Sequence, residues 1–181
     1  MAITINRKSN VLVGHDNYGQ VEPNHLSAQY SGQIYAQLPA NSEIHTLEQG
    51  MFVKYDTAAG ELNFTGKGPW MLVYNEEKLY DERKQMHRDF ALRDVDFDDK
   101  KIYSRVYRMN EGDIYTTNMV KEDESLTVGD LMVVDEANGV LKKATDNNLA
   151  TQAKNGLVLE VAKETTMPDG QNAVKLRVVA E

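Results

Sequence analysis

Sixteen residues, LEQGMFVKYDTAAGEL from Leu47 to Leu62, return near the other end of the chain as LTVGDLMVVDEANGVL, from Leu126 to Leu141. No other feature restricts the fold as much. Leu47, Gly50, Asp56, Gly60 and Leu62 fall without a gap on Leu126, Gly129, Asp135, Gly139 and Leu141, and Ala58 falls on Ala137. Each copy reads as a glycine opening a strand, an Asp-led turn closed by glycine, and a second strand, which together predict a β-hairpin whose glycine takes the positive-φ turn position. A hairpin used twice predicts a mainly β chain of two related antiparallel barrel or sandwich modules.

Composition sets the outer limits. At 181 residues the chain can bury a true core without a staple, and it has no cysteine with which to make one. The absence of thiols fits synthesis in a reducing cytoplasm. The opening MAITINRKSN carries no apolar core of the kind a secretory leader needs, and no run of about 18 apolar residues occurs. No membrane partner is expected. A net charge of -8 repels phosphates, and the basic pairs Lys100-Lys101 and Lys142-Lys143 sit beside acids, so no nucleic-acid partner is expected either.

Along the chain, residues 1–45 form a polar N-terminal arm rich in Asn, Gln, Ser and Tyr. Two readings stay open for it: a strap laid across a partner, or edge strands folded onto the same domain. Residues 46–101 make the first β module, with Trp70 to Tyr74 as an apolar strand after the turn at Thr65–Pro69. Trp70 is either a core anchor or a stacking platform. Within this module the charged stretch Asn75 to Leu92 reads as a short helix, with an Asn cap and acids in the first turn, or as a charged insertion loop. Residues 102–181 make the second module, where Gly112-Asp113-Ile114 repeats the entry Gly129-Asp130-Leu131. Two further strands follow, at Gly156–Val161 and Ala173–Val179, joined by a Pro-Asp-Gly turn.

Motifs that would carry chemistry are missing. His15, His25, His45 and His87 have no metal-ligand spacing, and Asp94 to Asp99 fails as a calcium loop, because Asp99 stands where glycine is needed and Arg105 where a bidentate Glu is needed. There is no Gly-x-Ser-x-Gly elbow, and Gly66-Lys67-Gly68-Pro69 leads into a strand where a phosphate loop leads into a helix. Paired carboxylates among the acids remain open to a glycosidase reading. The expectation is a non-enzyme with no cofactor and no metal, whose interface residues are Tyr18, Tyr30, Tyr35 and Trp70.

The run GDLMVVDEANGVLKKA (129–144), followed by GLVLEVA (156–162) and preceded by a polar arm, resembles the small β-rich decoration proteins of tailed-bacteriophage capsids. The resemblance covers chiefly residues 126–179, with an echo at 47–75. It implies a virion structural protein, made in the host cytoplasm, that binds the outside of the major capsid protein lattice and stabilises it as a homo-oligomer, dimer or trimer. Two alternatives stand beside it: a carbohydrate-binding or adhesin sandwich presenting Trp70, and a head-fibre base or head-tail protein.

Overall fold

The computed structural model describes residues 2–8, 18–28, 34–74 and 103–181. The segment read as a helix at 75–92, the acidic run Asp94 to Asp99, and His15, Tyr30 and His87 lie outside the described residues. The strands in chain order are β1 (Ile3–Thr4), β2 (Val21–His25), β3 (Ile34–Pro39), β4 (Phe52–Asp56), β5 (Glu61–Asn63), β6 (Met71–Val73) and β7 (Tyr103–Arg108). There follow β8 (Ile114–Thr117), β9 (Ser125–Leu126), β10 (Leu131–Val134), β11 (Leu141–Lys143), β12 (Val158–Thr166) and β13 (Asn172–Ala180). One helical turn, α1 (Leu149–Gln152), is capped by the Asn148 side chain, which accepts from the Thr151 N–H.

The repeat is larger than its sequence trace. One sheet runs β3-β7-β6-β4-β5 and the other β2-β8-β13-β12-β10-β11, so that β3 to β7 and β8, β10, β11, β12, β13 follow the same path. All strand pairs are antiparallel. In both units the chain leaving the first strand bridges back in parallel to the third, Ala40 to Leu62 and Val120 to Leu141, curling each sheet nearly into a barrel. Matching bonds seal the joint: Asn41 N–H to the Leu62 carbonyl (2.8 Å) and Lys121 N–H to the Leu141 carbonyl (2.7 Å).

The local chemistry explains the hairpins. Gly60 and Gly139 sit at φ 70° and 71°, and each donates its N–H to the carbonyl of the Asp that leads the turn, at 2.8 Å. The same Asp side chains accept from the N–H of Ala58 (2.9 Å) and Ala137 (3.2 Å). Before the strands lies a second shared device, a turn with glycine at φ 92° in Gly50, Gly112 and Gly129. In two of them an Asp closes the turn, accepting from the Asn110 N–H (2.9 Å) and the Thr127 N–H (2.8 Å). In the third, Met51 Sδ takes that place, 3.1 Å from the Glu48 N–H.

Strand pairing corrects the expected module boundaries of 46–101 and 102–181. β3 and β7 belong to the first sheet, so that unit starts inside the expected arm and ends at Arg108, after the charged segment that interrupts it between β6 and β7. The described arm residues are strands of the body: β1 pairs with β9, and β2 adds to the open side of β8. Pro23 and a bulge before His25 lie on that added edge strand, where a missing N–H does least harm.

Burial shows how the units join. Val53, Met71, Val73, Val106, Leu47 and Leu62 fill the first barrel. Their counterparts Met132, Leu159, Val161, Leu176, Leu126 and Leu141 fill the second, and that core continues without a break into the outer face of the first sheet, through Phe52, Leu72, Tyr107 and Met109. The second barrel therefore rests on the back of the first. The seam is tight at Gly139, whose carbonyl accepts from the Phe52 N–H at 2.7 Å. A Cβ on Gly139 would fall on the Phe52 carbonyl oxygen and within 2.6 Å of Phe64 Cε1.

Candidate binding surfaces

Three regions bear on function: the tie between arm and body, the clefts around Trp70, and the outward face of the second barrel. The tie is polar and buried. Asn118 accepts from the Gln20 N–H (2.6 Å) and donates to the Tyr18 carbonyl (2.9 Å) and to Gln171 Oε1 (3.0 Å). Asp169 accepts from the side-chain amides of Gln20 (2.8 Å) and Gln171 (2.7 Å). Further along, Asp113, fully buried, accepts from the Ser27 N–H at 2.8 Å and from the Ser27 hydroxyl. Such a buried network fixes one arrangement, since breaking a member strands its partners away from water, although Gln20 Oε1 has no partner of its own among the described residues. Tyr18 is thus part of an intramolecular clamp.

Trp70 is buried, 7% exposed, and Lys54 Nζ stands 4.4 Å over its ring. This is the core-anchor arrangement. A cleft of about 540 Å³ on one side is lined by Trp70, Asp135, Glu136, Lys142, Gln152 and Leu157. A smaller one of about 240 Å³, which also reaches Trp70, is lined by Lys54, Lys67, Pro69 and Met109 among others. The charges in the larger cleft are paired: Lys142 with Asp135 at 3.3 Å and Lys54 with Glu136 at 3.7 Å. The Ala137 N–H bond holds the Asp135 carboxyl below the usual carboxylate range; partial burial opposes this, and Lys142 and Lys121 reinforce it. A carboxylate so held stays ionised at neutral pH and is a poor general acid. Among the described residues no group of three or more His, Asp or Glu side chains could hold a metal ion, and no helix is long and apolar enough to cross a membrane.

The outward face of the second barrel is where the two units part company. In the first sheet the cross-strand row Phe52, Leu72, Tyr107 is apolar and fully buried. The matching row in the second is Leu131, Glu160, Arg177, with Arg177 Nη2 2.6 Å from Glu160 Oε2 and the two side chains 52% and 31% exposed. Around it lie Ala144 and Val158, with Val133, Val179 and Ala180 half-buried. At its end the Asn147 side chain accepts from the Leu131 N–H (2.7 Å) and donates to the Gly129 carbonyl (3.2 Å), taking the place that Gly139 takes on Phe52. Asp130 lies beside it. Burial pushes its carboxyl up, but the bonds from Lys143 and from the Thr127 N–H and hydroxyl outweigh that and hold it below the usual range.

Of the expected interface residues, the described ones fall on different elements. Tyr18 lies in the clamp, Trp70 in the core, Tyr35 in β3, and Tyr30 outside the described residues. Sequence reading passed over Glu160 and Arg177. A signal was there: each interrupts an apolar run, GLVLEV and AVKLRVV, at an outward position of period two. No protein-family model, no curated protein and no solved structure matches this chain.

Proposed function

We propose that this chain is a non-enzymatic virion structural protein that binds the outer surface of a tailed-phage major capsid lattice and stabilises it as a homo-oligomer. The observation that carries the reading is the doubled barrel: one five-strand path used twice, sharing one core, with β1 and β2 sewn into it. A body of this kind is stiff and offers broad surfaces, which suits a load-bearing bridge between neighbouring subunits. Many copies, each spanning a seam, turn weak contacts into cooperative clamping. The ion-paired clefts and the covered Trp70 ring speak for surface contact over chemistry or sugar stacking.

The described arm residues belong to the body, and Ile5 and Gln20 are buried, so trimming the first 20 residues would remove core as well as arm. The test therefore uses the full chain. Shells assembled from a tailed-phage major capsid protein are mixed with increasing amounts of the protein and pelleted. Saturable binding at a fixed ratio of copies per capsid subunit, with raised shell resistance to heat, is the expected result. Failure to pellet with shells, together with glycan binding that Trp70→Ala abolishes, would replace the proposal by the carbohydrate-binding reading.

A further inference from the structure

We infer that the outward face of the second barrel, Glu160 and Arg177 with the exposed Val128 and Leu149 beyond the buried Leu131, joins two copies of this chain about a two-fold axis. The inference does not rest on the capsid reading. Its first ground is the chain's own repeat. On the first barrel the equivalent face is the one that another barrel covers, with Phe52, Leu72 and Tyr107 all fully buried. The turn at its end, Glu48–Gln49–Gly50, is buried as well, with Gly19 and the Thr117–Met119 stretch packed on it. On the second barrel the same turn is bare: Val128 is 62% exposed, and a Cβ on Gly129 would meet nothing within 4 Å. Leu149, 41% exposed, lies just beyond Asn147 on the same end. Among the described residues only three large apolar side chains are exposed, and two of them are here.

The second ground is charge. The protein carries a net -8, so two copies repel unless they meet on a face whose charges balance. This face balances: Arg177 beside Glu160, and Lys142, which pairs across the ladder with Val133, 3.3 Å from Asp135. One cation and one anion side by side are self-complementary under a two-fold, which sets each Arg177 against the Glu160 of the other copy and makes a closed ring of four charges. A second copy is thus the occupant that the charge pattern selects. The half-buried Val133 and Val179 supply the apolar surface on which the ring is mounted.

The test is sedimentation equilibrium on the full chain and its variants, with circular dichroism confirming the fold of each. Wild type is expected to show a monomer–dimer equilibrium. Glu160→Arg and Arg177→Glu each place like charges across the axis and are expected to weaken the dimer by roughly tenfold or more. Mixing these two variants in equal amounts restores the opposite-charge ring, so a heterodimer of near wild-type affinity is expected. Val128→Ser with Leu149→Ser, which leaves the charges alone, is expected to weaken the dimer as well. A wild type that is monomeric at millimolar concentration, a trimer or larger species, or two charge variants that stay monomeric when mixed would each overturn the inference. Shell binding that persists in a monomeric wild type would leave the capsid reading in place.

Discussion

Tyr115→Phe is expected to stabilise the protein. Tyr115 lies in β8 between Pro23 of β2 and Leu176 of β13, fully buried in the shared core, and its hydroxyl has no hydrogen-bond partner among the described residues. A hydroxyl taken from water without a replacement bond costs about 1–3 kcal/mol. Deleting the oxygen leaves a small void, at about 0.3 kcal/mol for a hydroxyl-sized hole. The net expectation is a gain of about 1 kcal/mol, read as a higher urea midpoint at unchanged slope and a Tm raised by about 2–4 °C for a chain of this size. The same burial raises the phenol pKa well above its ordinary value. The unfolded chain therefore loses this proton first, from about pH 10, and wild-type stability falls as pH rises beyond that point. The variant is expected to lose less in that alkaline limb. A loss of more than about 0.5 kcal/mol on removing the oxygen, at any pH below that limb, would show that the hydroxyl is satisfied and the reasoning wrong.

Further expectations concern the repeat and its ties. Gly60→Ala and Gly139→Ala impose the same left-handed backbone on alanine, at about 1 kcal/mol. Gly60 has open space while Gly139 abuts Phe52, so the second change is expected to cost at least about 2 kcal/mol more in urea unfolding, within the range for overpacking. Asp113→Ala removes the acceptor of the Ser27 and Asn110 N–H groups; a loss of about 2–4 kcal/mol is expected, with faster amide exchange across 21–27 than across β12. Asp130 and Asp135 both have lowered pKa values, so their contribution is present above the unfolded carboxylate value, about pH 4. It is lost as pH falls through the folded values, and Asp130→Asn is expected to flatten the acid limb of a stability–pH curve.

The sequence made the hairpins visible because their turns demand particular residues: glycine at positive φ and an Asp to cap it, at both 56–60 and 135–139. The rest of the duplication was hidden by burial. Leu72 and Glu160 hold the same place in the ladder, as do Tyr107 and Arg177, yet one pair faces a core and the other faces solvent, so nothing in their identities marks them as equivalent. Met51 and Asp130 serve the same turn with a sulfur and a carboxylate. The boundaries were misread because a charged segment interrupts the first barrel between β6 and β7, where a change in composition resembles a linker. The arm looked unfit for a core because its bonds are polar ones, through Gln20, Ser27 and Asn118.

The pairing of β2 with β8, and of β8 in turn with β13, sets a timetable for synthesis. The residues of β2 wait for β8, and β8 waits in turn for β13, while the first barrel, whose last strand ends at Arg108, holds out Phe52, Leu72 and Tyr107 to water in the meantime. Closing such distant contacts is slow, and the uncovered back of that barrel is apolar surface open to misassembly until β13 pairs with β8.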